Sequence, residues 1–165
     1  MRKFEKISKE QFDKEKKGLH YAIEINDKMY DLMDLPERST SKSAAYDLRS
    51  LGDYVIPPRQ TLKIPTGLKV CMDADDVFLI VVRSSLGVKK NISLANAVGV
   101  IDADYYNNSD NEGHFWLCLK NNGEFPFAIA NGDRLCQGIF VKYGVTENDS
   151  ASGTRQGGFG STGTN

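Results

Sequence analysis

Apolar residues are unevenly spread along this chain, and their spacing divides it into three stretches. In FEKISKEQFDKEKKG, Phe4, Ile7 and Phe12 recur at near-helical intervals with charge between them. That spacing predicts a short N-terminal amphipathic helix able to lie on a larger body, with Gly18 as its stop. ERSTSKS, Glu37 to Ser43, reads as a loop. From Ala44 the period shortens. YVIPPRQTLKIPTGLKVCM sets β-branched residues between Pro57, Pro58 and Pro65, and VFLIVV, Val77 to Val82, is a candidate buried strand. HFWLCLKN and RLCQGIFVKYGV follow, split by NNGEFPFAIANGD. Many short strands with close turn signals predict an all-β sandwich or barrel. No long helical pattern follows the N-terminal segment, which disfavours a βαβ sheet, and no internal repeat is present. The third stretch, residues 150–165, holds five of the fifteen glycines.

Length changes this picture little: 165 residues suit one domain, with residues 1–40 as an N-terminal extension and 150–165 as a flexible glycine-rich arm. A net charge of −1 argues against nucleic acid or an anionic membrane as the main partner. The longest apolar run is far too short to span a bilayer, and no apolar stretch follows the basic N-terminus, so a secretory signal is not expected. Cys71, Cys118 and Cys136 are odd in number and form no CxxC pair. They read as small residues in a reducing, cytoplasmic setting rather than as a zinc site or disulfide framework.

Four segments carry candidate chemistry. In IDADYY, strand alternation would place Asp102 and Asp104 on one face, as a base and a holder of a hydrated cation or as two solvated aspartates in a turn. Upstream, Gly99 in NAVGV permits a close backbone approach. RSSLGVKK combines Arg83, Lys89 and Lys90 with the hydroxyls of Ser84 and Ser85, a mixture suited to phosphate oxygens but equally to a basic turn, and no Walker A pattern is present. GDRLCQGIF places Asp133 and Arg134 at a turn before a strand, with the Gln137 amide beyond. In the tail, Arg155 can grip a terminal phosphate, and Gly157, Gly158 and Gly160 let backbone amides approach an anion. Phe159 buries nothing locally and makes sense stacked on a base. Taken alone, the tail reads equally as a frayed end.

AAYDL (Ala44 to Leu48), RSSLG, NAVGVIDADY (Asn96 to Tyr105), GDRLCQ and RQGGFGSTG (Arg155 to Gly163) stand in the order of the five motifs of the trimeric dUTP pyrophosphatases (dUTPases), a family that the chain resembles from about residue 40 onward. The resemblance implies an all-β distorted jelly-roll barrel of the β-clip type, forming a homotrimer whose three active sites each draw on all three chains. It implies cleavage of dUTP to dUMP and pyrophosphate with Mg²⁺, which keeps uracil out of DNA and supplies dUMP for thymidylate synthesis. Asp102 would orient and deprotonate the attacking water. Tyr105 would lie under the deoxyribose and reject a 2′-hydroxyl. Asn96 and the backbone of Gly99, Val100 and Ile101 would form the hairpin that reads uracil. Arg83, Ser84 and Ser85 would hold the α- and β-phosphates, with Asp47 and Gln137 near the metal's water shell. Arg155, Ser161 and Thr162 would grip the γ-phosphate while Phe159 covers the base.

Two departures stand out. Where the family turns at once after DADY, this chain reads YNNSDNEGHF, Tyr106 to Phe115, a longer loop expected to be a solvated hairpin tip. Cys136 stands where the family often has Ala. The alternatives are a dCTP deaminase-like enzyme and a regulatory protein on the same trimeric scaffold, whose protein partner would meet the N-terminal segment or the Tyr106–Phe115 loop.

Overall fold

Strand propensity and turn chemistry dominate the computed structural model, which describes residues 1–17, 22–153, 155 and 157. The elements run β1 (Lys3–Lys6), α1 (Lys9–Lys17), β2 (Ala22–Glu24), α2 (Asp27–Asp31), β3 (Tyr46–Arg49), β4 (Asp53–Ile56), β5 (Thr61–Pro65) and β6 (Leu68–Cys71). They continue with β7 (Asp76–Val82), α3 (Ser84–Lys90), β8 (Ile92–Leu94), β9 (Gly99–Asp102), a 3₁₀ turn (Ala103–Tyr105), β10 (Trp116–Asn121), β11 (Phe127–Ile129) and β12 (Arg134–Lys142). The described ladders make four small antiparallel sheets, ordered β3-β12-β7-β9, β5-β10-β8, β11-β4-β2 and β1-β6. They do not close into a continuous barrel. The jelly roll is instead a set of short sheets around one core that includes Leu48, Ile56, Ile64, Phe78, Phe115, Leu119 and Leu135.

The anticipated VFLIVV strand is the central β7, whose side chains alternate between buried and partly exposed until the sheet edge. It packs against β12 at unusually close range: a Cβ on Gly138 would come within 1.9 Å of the Phe78 ring. Only glycine leaves room for that buried ring.

The N-terminal helix is present but shorter than its apolar spacing suggested. Phe4 is not on it. It lies in β1 opposite Val70 of β6 and meets Tyr46, Phe78 and Phe140 edge-on or tilted. A ladder and an aromatic pocket, both supplied by distant residues, outweigh the local helical period. Ile7 is buried between the two elements. Ser8 then caps the helix: its Oγ accepts from the Gln11 amide at 3.1 Å. Phe12 faces inward against Tyr30, with ring centroids 4.9 Å apart. The expected stop, Gly18, lies outside the described residues.

Candidate active site

Two groups of predicted residues assemble in the described chain. The first surrounds Asp47 on β3. Register puts Asp47 opposite Gln137 of β12, and Gln137 opposite Val81 near the end of β7, so Arg83 arrives beside them. The buried Asp47 carboxylate accepts from Ser39 Oγ at 2.9 Å, Arg134 at 3.1 Å and Gln137 Nε2 at 3.3 Å, and pairs with Arg83 at 3.5 Å. Burial alone would raise this carboxyl, but these donors and guanidinium charges outweigh it and hold Asp47 below the ordinary carboxylate range. Ser84 and Ser85 are exposed and open α3, where a turn was expected. The Arg83 amide, just before that helix, is fixed on the Leu135 carbonyl at 3.1 Å.

The second group surrounds Asp102. Strand alternation does not align Asp102 with Asp104, because β9 ends at Asp102 and the chain enters a 3₁₀ turn. The carboxylates converge through a cation instead. Arg155 donates to Asp102 Oδ2 at 2.5 Å and to Asp104 Oδ1 at 2.8 Å, and its guanidinium carbon lies 5.7 Å from the Tyr105 ring centroid. Both carboxylates stay more than half exposed, whereas Tyr105 is buried. An open cleft of about 500 Å³ lies beside them, lined by Met72, Ala74, Asp102, Asp104, Tyr143 and Arg155.

Asn96, exposed, sits in the turn between β8 and β9. That turn is not the hydrogen-bonded hairpin expected from the resemblance, since β8 pairs with β10 and β9 with β7. Its consequence is that β9 is an edge strand, so part of the backbone of Gly99, Val100 and Ile101 faces away from the ladder. The close approach that Gly99 permits is to Ile80, whose Cβ would lie 3.1 Å from an added Cβ.

The two groups stand at opposite ends of β7. Asp102 is opposite Val77, and Arg83 follows six residues later, about 20 Å along an extended strand. Phe159, Ser161 and Thr162 lie outside the described residues.

The Tyr106–Phe115 loop is not a solvated tip. Asn108, Asn111 and His114 are buried in it. Asn108 Nδ2 donates to the Tyr105 carbonyl and to Asn111 Oδ1, and Asn108 Oδ1 accepts from the Asp110 and Asn111 amides. Asn111 Nδ2 donates to the Tyr105 hydroxyl at 2.8 Å, and that hydroxyl donates to the His114 carbonyl at 3.0 Å. His114 Nε2 accepts from the Gly67 amide at 3.0 Å, so the neutral ring carries its proton on Nδ1, which faces Glu15 of α1 at 3.5 Å. Burial pushes this imidazole below its ordinary range. Asn108 and Asn111 are buried because they satisfy each other, nearby backbone and the Tyr105 hydroxyl, whereas His114 Nδ1 makes no hydrogen bond and only faces Glu15. The sequence signal was Asn108 and Asn111, two short amides that cap neighbouring backbone, followed by the buried HFW.

Comparison with known proteins fits this geometry. The family model for dUTPase matches residues 31–163. A deoxyuridine 5'-triphosphate nucleotidohydrolase of Lactococcus lactis subsp. lactis (strain IL1403) is 43% identical over 133 residues, 79% of this chain and 89% of that protein. The crystal structure of dUTPase from Streptococcus mutans aligns with a TM-score of 0.67 and 34% identity over 78% of this chain and 98% of that one. The Staphylococcus bacteriophage 80alpha dUTPase with dUPNHPP covers 99% of both chains at a TM-score of 0.66 and 19% identity, a likeness of fold alone. With an ordered motif set, a family model matching residues 31–163 and this breadth of sequence identity, the chain belongs to the dUTPase family.

Proposed function

We infer that this chain is a dUTP diphosphatase, hydrolysing dUTP to dUMP and pyrophosphate. The observation that carries the reading is the exposed Asp102 carboxylate at the end of an edge strand, one turn from the buried Tyr105 ring. The unladdered side of β9 offers backbone donors and acceptors to a uracil edge, with Asn96 beside it. A fixed pattern matched to uracil leaves groups unpaired when cytosine enters. The sugar then lies against Tyr105. Arg83, Ser84 and Ser85 take the α- and β-phosphates, while Arg155 exchanges Asp102 and Asp104 for the terminal phosphate. Ser161, Thr162 and Phe159 complete that grip and cover the base.

Asp102, released from Arg155, takes a proton from a water placed in line with the α-phosphorus. The new bond forms from that water's oxygen to phosphorus, the bond to the bridging oxygen breaks, and pyrophosphate leaves. An aspartate is a weak base, so alignment and charge neutralisation do most of the work. When bound, Mg²⁺ would supply neutralisation of the triphosphate. Among the described residues no group of three or more His, Cys, Asp or Glu side chains could cage a metal. Asp47 is already engaged by Ser39, Arg134, Gln137 and Arg83. It fits a hydrated ion held mainly by phosphate, reached through the water shell with Gln137 beside it.

The spacing along β7 favours a site completed by another copy, and the family resemblance makes that assembly a homotrimer. No described helix is long and apolar enough to cross a membrane. The three cysteines are unpaired, which suits a reducing cytoplasm. A pyrophosphate-release assay across dUTP, UTP, dCTP and dTTP, with and without Mg²⁺, tests the reading. Turnover of dUTP that requires Mg²⁺ is expected, and equal turnover of dCTP would overturn it.

A further inference from the structure

The segment that departs most from the family pattern is wound around the hydroxyl of the residue assigned to the sugar. Tyr105 has its ring buried and one face turned to Arg155. At its far end the hydroxyl accepts from Asn111 Nδ2 and donates to the His114 carbonyl, and Asn111 Nδ2 also reaches that carbonyl at 3.3 Å. Asn111 Oδ1 is held in turn by the Gly113 amide at 3.1 Å and by Asn108 Nδ2 at 2.9 Å. Every polar atom of the Asn111 side chain is therefore engaged, and the amide cannot turn without losing several partners. The loop itself is fastened to the N-terminal extension. Glu112 accepts from the Ser8 amide and hydroxyl at 2.9 and 2.5 Å, and Lys14 of α1 donates to the Asp110 carbonyl at 3.1 Å. Lys69 of β6 reaches Asn107 at 2.7 Å.

A ring that excludes a 2′-hydroxyl must be fixed to a fraction of an ångström, since a small retreat opens the space the hydroxyl needs. We propose that Asn111 is a positioning residue for sugar discrimination: by holding the Tyr105 hydroxyl it fixes the ring that rejects ribonucleotides, and the loop and α1 form the brace behind it. This rests on the reading of Tyr105 as the deoxyribose platform.

The test measures kcat and KM for dUTP and for UTP on the full-length chain, as wild type, Asn111→Ala, Tyr105→Phe and the double variant. Each single variant is expected to narrow the dUTP-to-UTP ratio of kcat/KM by about fivefold or more, mainly by admitting UTP. Asn111→Ala, which touches no substrate, should keep kcat on dUTP close to wild type, whereas Tyr105→Phe alters the platform itself and is read by the ratio alone. The double variant should narrow it no further, because both changes remove the same hydrogen bond. A residue that served stability alone would lower activity on both nucleotides equally and leave the ratio unmoved. Should Asn111→Ala fail to fold, Tyr105→Phe, which keeps the ring, decides. An unchanged ratio in the folded variants, with normal dUTP turnover, overturns the positioning role and leaves the enzymatic reading intact. A wild type that does not turn over dUTP sinks both.

Discussion

His114 should make this fold acid-sensitive in a narrow window. Its ring is 1% exposed, packs tilted against Trp116 with centroids 4.7 Å apart and spends Nε2 as an acceptor for the Gly67 amide. Protonation would turn that acceptor into a donor facing a donor. The groups around the ring are Glu15 of α1 and Glu112 of the loop, which favour a proton, and Lys63 of β5, which opposes it. Burial is the largest influence, and the net effect is a lowered pKa. The sign follows. In the unfolded chain the ring titrates near pH 6.5, so below that the unfolded state binds the proton and the folded state does not. Stability is full above about pH 6.5 and falls as pH falls. From about pH 7.5 to about pH 5.5 the loss approaches 1.4 kcal/mol if the folded ring stays neutral throughout. For a domain of this size that is a drop of about 3 to 6 °C in Tm. Thermal melts across this range compare wild type with His114→Gln, whose amide oxygen can still accept from Gly67. The other histidine, His20, is common to both proteins, and carboxylates titrate lower. The difference between the two slopes therefore isolates His114. Equal slopes would refute the reasoning, and a wild type that gains stability on acidification would show that Glu15 holds an imidazolium instead.

Asp102→Asn should leave nucleotide affinity nearly unchanged and lower kcat by about 10² to 10⁴, read from steady-state kinetics; near-normal turnover would remove Asp102 as the base. Deleting everything after Ser152 removes Arg155 and the Phe159 segment, and should give a folded protein by circular dichroism with very low dUTP turnover. Asn121→Ala removes the amide that donates to the Ile56 and Phe125 carbonyls and accepts from the Gly123 amide, at 3.0, 2.8 and 2.9 Å. At roughly 1 kcal/mol each, urea melts should show about 3 kcal/mol lost, while the dUTP KM stays put because none of these three hydrogen bonds goes to a predicted site residue.

What the sequence made legible was local. The apolar run before Arg83 and the turn ahead of β12 depend on neighbours within a few residues. What it hid was decided at long range. Phe4 reads as helical until Val70 supplies a ladder partner 66 positions away. Asn108 and Asn111 read as solvent-facing because polarity alone does not reveal that their partners are each other and the Tyr105 hydroxyl, and His114 because its partner is the distant Gly67 amide. The strand period suggests one face for Asp102 and Asp104, but a turn and the Arg155 guanidinium are what bring them together. Arg134 reads in sequence as a turn residue before a strand, because its contact with Asp47 is made across the sheet.

The length of β7 has one more consequence. Within a chain, Asp102 and Arg83 are held about 20 Å apart by a strand that cannot shorten, too far for one nucleotide to have its α-phosphate at both. On the function proposed above, a site would then take Asp102 from one chain and Arg83 from another. Asp102→Asn and Arg83→Ala, each inactive alone, should complement when co-refolded into mixed trimers. A given site is intact when its base comes from the Arg83→Ala chain and its phosphate loop from the Asp102→Asn chain. Random equal mixing meets each condition half the time, so about a quarter of the wild-type dUTP turnover should return. Sites built within single chains would return none, because every chain would lack one of the two groups. A mixture as inactive as its parents, with light scattering showing that mixed trimers had formed, would mean that a single chain brings Asp102 and Arg83 together by a movement of β9 away from β7, against the four-residue ladder that joins them.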